Sequence, residues 1–100
     1  MKKLMIALSV VSLLGFSNAF AADVAAGKAK AVTCAGCHGP DGISANPQWP
    51  NIKGQNAPYI EAQLKAFKSG TRANAMMASI AQGLTDADMA NLAAYFASLK

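Results

Sequence analysis

Apolar side chains recur at helical spacing in three stretches of the chain. Val24, Gly27 and Ala31 share one face of a segment that leads into Cys34 and Cys37, and Asp23 is placed to cap its start. Ile60, Leu64 and Phe67 form a second stripe at i, i+4 and i+7; that helix starts at Asn56, accepts Pro58 in its first turn and stops at Gly70. Met89, Leu92, Phe96 and Leu99 make a third stripe, opened by Thr85 as cap, with Asp86 and Asp88 in the first turn facing the positive end of the helix dipole. Between the stripes lie Gly39 to Gln55, containing Pro40, Pro47 and Pro50, and Thr71 to Gly83, which carries Met76 and Met77. No alternation of period two is long enough for a strand. The pattern predicts an all-α domain of three principal helices joined by two long irregular connections. Connections of that length are uncommon in a small domain unless they serve a function.

The N-terminal residues follow a different pattern. Lys2 and Lys3 precede an uncharged apolar run from Leu4 to Phe16, 13 residues long, whereas a helix needs about 20 residues to span a bilayer. Ala19-Phe20-Ala21 then supplies a small-x-small cleavage signal. Residues 1–21 are read as a removed export signal, with cleavage after Ala21 and with Ala19 and Ala22 as alternatives, leaving residues 22–100 as one exported domain without a membrane span. Loss of Lys2 and Lys3 leaves seven basic residues against five acidic ones, a net charge of +2 in place of +4. With no basic run and no aromatic-basic interleaving, nothing points to nucleic acid. A domain this small has a marginal apolar core and commonly relies on disulfides, a metal or a prosthetic group.

Cys34, Cys37 and the only histidine, His38, lie within five consecutive positions. A structural zinc site draws four ligands, typically from two separated pairs, and no second cluster exists. A thioredoxin-type pair sits where a strand meets a helix, and no strand is read here. A local disulfide leaves the adjacent histidine without a role. Covalent haem attachment uses all three residues. The two thiols add across the vinyl groups as thioethers, and the next residue brings its imidazole beneath the ring to bind iron. Such attachment fits an exported chain, and a large apolar ring supplies the core the short helices lack.

Iron held this way has one further axial position. A second histidine is absent, so the remaining candidates are methionines. Met1 and Met5 fall within the export signal, and Met89 lies on the apolar stripe of the last helix as a core residue. Met76 and Met77, in the connection before that helix, both remain open on the residues alone.

Gly27, Cys34-Ala35-Gly36-Cys37-His38, Pro47, Met76-Met77, Leu84-Thr85-Asp86 and Tyr95-Phe96 together resemble class I cytochrome c. The resemblance covers residues 22–100 and is closest to small single-haem bacterial members and to one half of the dihaem periplasmic type. It implies the cytochrome c fold around one covalently bound haem c, with Cys34 and Cys37 as thioethers and His38 as one axial ligand. In that branch the axial methionine lies seven residues before the leucine that opens the last helix, which selects Met77. The resemblance also implies that the Pro47 carbonyl accepts the His38 Nδ1–H, that Gly27 meets Phe96 or Tyr95 where the first and last helices cross, and that Trp49, Lys53 and Arg72 are candidate partners of the haem or its propionates.

Filled axial positions imply an electron carrier that is not an enzyme; with the export signal, it is expected as a monomer in the periplasm that shuttles electrons between transient redox partners. Transfer is expected at an exposed ring edge beside Ala35, Gly36, Met76 and Ala78. The competing reading is a five-coordinate haem protein that binds a gas or acts on peroxide.

Overall fold

The computed structural model describes residues 21–100; the export-signal reading of residues 1–21 lies, apart from Ala21, outside the described residues. Five helices follow one another: α1 (Val24–Lys30), α2 (Val32–His38), α3 (Ala57–Ser69), α4 (Ala75–Gln82) and α5 (Asp86–Ser98), with no strand among the described residues. The segment expected as one helix running into the cysteines is therefore two. Ala31 ends α1 and begins α2, its N–H shared between the carbonyls of Gly27 at 2.9 Å and Lys28 at 3.2 Å. The second connection, expected to be irregular, also holds a helix. Ala75 to Gln82 combines strong helix formers with a capping Asn74 on one side and Gly83 on the other.

Local chemistry accounts for the helix ends. The Asp23 carboxylate accepts the Ala26 N–H at 3.1 Å at the start of α1. Gly70 ends α3 with φ 86, the left-handed conformation expected there. Thr85 opens α5 with a reciprocal capping box: its hydroxyl accepts the Asp88 N–H at 3.0 Å while the Asp88 carboxylate accepts the Thr85 N–H at 2.9 Å. Two otherwise unpaired donors are satisfied together.

Ile60, Leu64, Leu84, Met89, Leu92 and Phe96 form the heart of the apolar core, contributed by α3, α5 and the turn between α4 and α5. Met89 is 1% exposed, in agreement with its place on the α5 stripe. Where α1 crosses α5, the backbones approach so closely that a Cβ on Gly27 would lie 2.0 Å from the Asn91 carbonyl oxygen and 2.9 Å from Tyr95 Cβ. Tyr95 is thus the aromatic that meets Gly27, while Phe96 turns to the core and a neighbouring cavity. The crossing is tied by the Asp23 N–H donated to Asn91 Oδ1 at 2.8 Å and by the Lys30–Asp88 ion pair at 3.5 Å.

Candidate functional site

The cysteine-bearing helix ends at His38 because of Gly39, whose φ of 88 sends the chain in a direction that residues with a Cβ rarely take. A Cβ there would also strike the Ile43 carbonyl oxygen at 1.9 Å. The loop that follows folds back on itself: the Gly42 carbonyl accepts N–H bonds from Ile52 at 2.8 Å and Lys53 at 3.0 Å. This closure brings the Pro50 carbonyl to His38, where it accepts the Nδ1–H at 2.7 Å.

That bond corrects the expectation for Pro47. Pro47 is exposed and occupies the second position of a β-turn in which the Trp49 N–H bonds to the Asn46 carbonyl at 3.0 Å. The Asn46 side chain closes the same turn by accepting the Gln48 N–H at 2.8 Å. Pro47 shapes the loop, as proline does at this turn position, and the next proline supplies the acceptor. A carbonyl can only accept, so His38 carries its proton on Nδ1 and keeps a lone pair on Nε2, the tautomer that can bind a metal.

His38, Cys34, Cys37, Met76 and Met77 all line one cavity of about 320 Å³ between α2, the following loop, α3 and α4. Its apolar walls include Ile60, Leu64, Phe67, Ile80, Leu92 and Phe96. Both cysteines are free thiols, which sets aside the local disulfide. Burial pushes the Cys34 thiol up from its ordinary range, the Thr33 hydroxyl opposing and the neighbouring Cys37 adding to the rise. A neutral, half-buried thiol is the opposite of the electropositive, activated thiolate of a redox pair. No group of three or more His, Cys, Asp or Glu side chains suited to a metal ion occurs among the described residues.

Met76 and Met77 were expected in a loop, yet both lie in the first turn of α4. Their burial differs. Met76 is 55% exposed, whereas Met77 is half-buried and packs against the apolar core. Trp49 is half-buried on the cavity wall. Arg72 also lines the cavity, its guanidinium 4.6 Å above the Phe67 ring and donating to Gln63 Oε1 at 2.7 Å. Lys53 is exposed and is not among the lining residues. A second hollow, about 460 Å³ and more open, lies among the alanines of α5 beside Glu61 and Asp86 and holds no thiol, imidazole or thioether.

Residues 24–100 match the protein family described as Cytochrome c. The chain belongs to that family. Cytochrome c-554(548) of Halomonas halodenitrificans is 47% identical over 81 residues, which cover 78% of this chain and 98% of that protein. Cytochrome c4 of Pseudomonas aeruginosa is 43% identical over 101 residues, all of this chain but 50% of that protein. The crystal structure of reduced recombinant cytochrome c4 from Pseudomonas stutzeri superposes with a TM-score of 0.76 at 36% identity, covering 80% of this chain and 47% of that one. The chain thus spans nearly all of one relative and about half of the cytochrome c4 proteins. The all-helical architecture is the cytochrome c fold of class I, whose members are electron-transfer proteins with covalently attached haem c. The cavity suits that cofactor: two unpaired thiols, one imidazole with an open Nε2 and a thioether share a largely apolar wall. No described helix of this cytochrome c domain is long and apolar enough to cross a membrane.

Proposed function

We propose that the domain is a one-electron carrier in which Cys34 and Cys37 form the thioethers to haem c and His38 and Met77 are the axial iron ligands. One observation carries this reading: all four side chains line the same cavity, and the Nδ1–Pro50 bond leaves His38 Nε2 as the open nitrogen. Bound there, haem c supplies an iron that cycles between ferric and ferrous states. The protein's own contribution is to hold the donors and exclude water. The Pro50 carbonyl fixes the imidazole plane and increases the basicity of Nε2. Packing of Met77 against the core supports its choice over the more exposed Met76.

Two protein ligands leave no position for a substrate, which distinguishes a carrier from a catalyst. Thioether ligation favours the ferrous state, and the apolar wall formed by Ile60, Leu64 and Phe96 acts in the same direction by disfavouring the extra charge of the ferric site. The cation at Arg72 is the group on the wall best suited to a haem propionate. With residues 1–21 removed as an export signal, the domain of residues 22–100 works in the periplasm as a monomer. It exchanges electrons with redox proteins that dock weakly over a small area. Gly36, exposed between the two cysteines, and Met76, exposed on the cavity wall, mark the docking edge.

Ferric and ferrous optical spectra of Met77→Leu and Met76→Leu test the assignment. Met77→Leu is expected to lose low-spin iron and the weak far-red band that ferric iron gives with a thioether, while Met76→Leu keeps both. A parent protein already high-spin and reactive with peroxide or gases would establish the five-coordinate reading instead.

A further inference from the structure

The helix that presents Met77 is thinly buried. Of its eight residues only Ala81 is fully buried, with Met77 packed against the edge of the core, so polar ties at its ends help fix its place. One lies at its C-terminal end and a second in the turn just beyond it. The Gln82 side-chain amide donates to the Lys68 carbonyl at 2.9 Å, and the Lys68 ammonium donates to the Leu84 carbonyl. At the N-terminal end the tie falls on Met77 itself, whose backbone N–H is donated to Asn74 Oδ1 at 2.9 Å. Met77 is the third residue of α4, one of the four whose N–H groups have no partner within the helix. Asn74 itself sits in extended backbone with φ −166, lines the cavity, and accepts the Ala78 N–H through its carbonyl at 2.8 Å.

We propose that Asn74 is a positioning residue for the sixth iron ligand: its side chain fixes the backbone of Met77 and thereby holds the thioether in place. The inference rests on Met77 being the axial ligand. Its physical basis is local. Without the cap, the Met77 N–H must be satisfied by water, the first turn of α4 frays, and the sulfur leaves its position more often. Asn74 neither coordinates iron nor belongs to the apolar core, so its effect is on the equilibrium between seated and displaced methionine.

Added imidazole competes with methionine for ferric iron, so its apparent affinity reads that equilibrium directly. Loss of an asparagine cap shifts a helix-end equilibrium by about five-fold in the typical case. Asn74→Ala in the haem-loaded protein is therefore expected to bind imidazole about five-fold more tightly, and Asn74→Ser, which restores a capping oxygen, returns to the parent value. Asn91→Ala removes a hydrogen bond of the same kind at the distant α1–α5 crossing and is expected to leave imidazole affinity unchanged even where it lowers overall stability. Met77→Leu is measured in parallel. If it loses the far-red band while Asn74→Ala binds imidazole like the parent, the role of Asn74 is overturned and the ligand assignment stands. If Asn91→Ala tightens imidazole binding as much as Asn74→Ala does, the effect is one of general stability and the role is overturned. If Met77→Leu keeps the band, both the ligand assignment and the role of Asn74 fall.

Discussion

Substituting Gly27 by alanine forces a methyl group into the closest backbone contact between α1 and α5. The new Cβ would lie 2.0 Å from the Asn91 oxygen, 2.6 Å from its carbonyl carbon and 2.9 Å from Tyr95 Cβ. None of these atoms can rotate away, since all belong to or adjoin the α5 backbone. Reaching the 3.4 Å of ordinary contact requires the helices to separate by about 1.4 Å. That movement also stretches the Asp23–Asn91 hydrogen bond and the Lys30–Asp88 pair. Overpacking costs about 1–3 kcal/mol, and a rigid obstacle places this case at the upper end. Alanine's better helix propensity offsets about 1 kcal/mol. The expected net loss is about 2 kcal/mol, roughly 10 °C in Tm for a domain of this size. Gly36→Ala provides the internal comparison, because a Cβ there meets no atom within 4 Å. It keeps the propensity gain without the clash and is expected to stabilise by up to about 1 kcal/mol. Denaturant unfolding of the two haem-loaded variants, followed by far-ultraviolet circular dichroism, measures both. Gly27→Ala within about 0.5 kcal/mol of the parent, the range of an ordinary surface substitution, or above Gly36→Ala, would refute the close-approach argument.

Three further outcomes follow from named contacts. The Thr85 backbone N–H, with smaller contributions from the Thr85 hydroxyl and Lys30, holds the Asp88 carboxyl below its ordinary value of 3.8. A depressed carboxyl contributes stability above its unfolded value and loses it as pH falls through the folded one; the stability gap between parent and Asp88→Asn should be constant near neutral pH and close below about pH 4. A gap that widens on acidification contradicts this. Met89→Ala, at a residue 1% exposed, is expected to lower stability by about 2–5 kcal/mol while leaving the ferric spectrum unchanged; loss of low-spin iron would show that Met89 does more than fill the core. Arg72→Gln removes a cation from the cavity wall and should lower the reduction potential, because the ferric site is then less disfavoured. Lys53→Gln, away from that wall, should change the potential less in voltammetry; the reverse order would reassign the propionate partner.

The chemistry-bearing cluster was legible because Cys34, Cys37 and His38 fall within five consecutive positions, and the helix stripes were legible because periodicity is a local property. Features made by chain closure were not. Pro47 and Pro50 look alike in a list of loop residues, and only the return of Ile52 and Lys53 onto the Gly42 carbonyl determines which one faces His38. Helix α4 was hidden by its shortness: eight residues show little more than two turns of any period, although Asn74 and Gly83 bracket it. Met76 and Met77 are adjacent, so sequence pattern alone leaves both open and burial separates them. Gly27 was recognised as a crossing residue, but the choice of Tyr95 over Phe96 depends on how α5 is rotated about its axis.

The most direct test of the account is iron X-ray absorption on the purified haem-loaded domain in both oxidation states. A single sulfur scatterer alongside five nitrogens in ferric and ferrous protein alike, retained in Met76→Leu and absent in Met77→Leu, is the predicted result. Iron with no sulfur neighbour in either state, or a sulfur that disappears with Met76 in place of Met77, contradicts the His38–Met77 clamp.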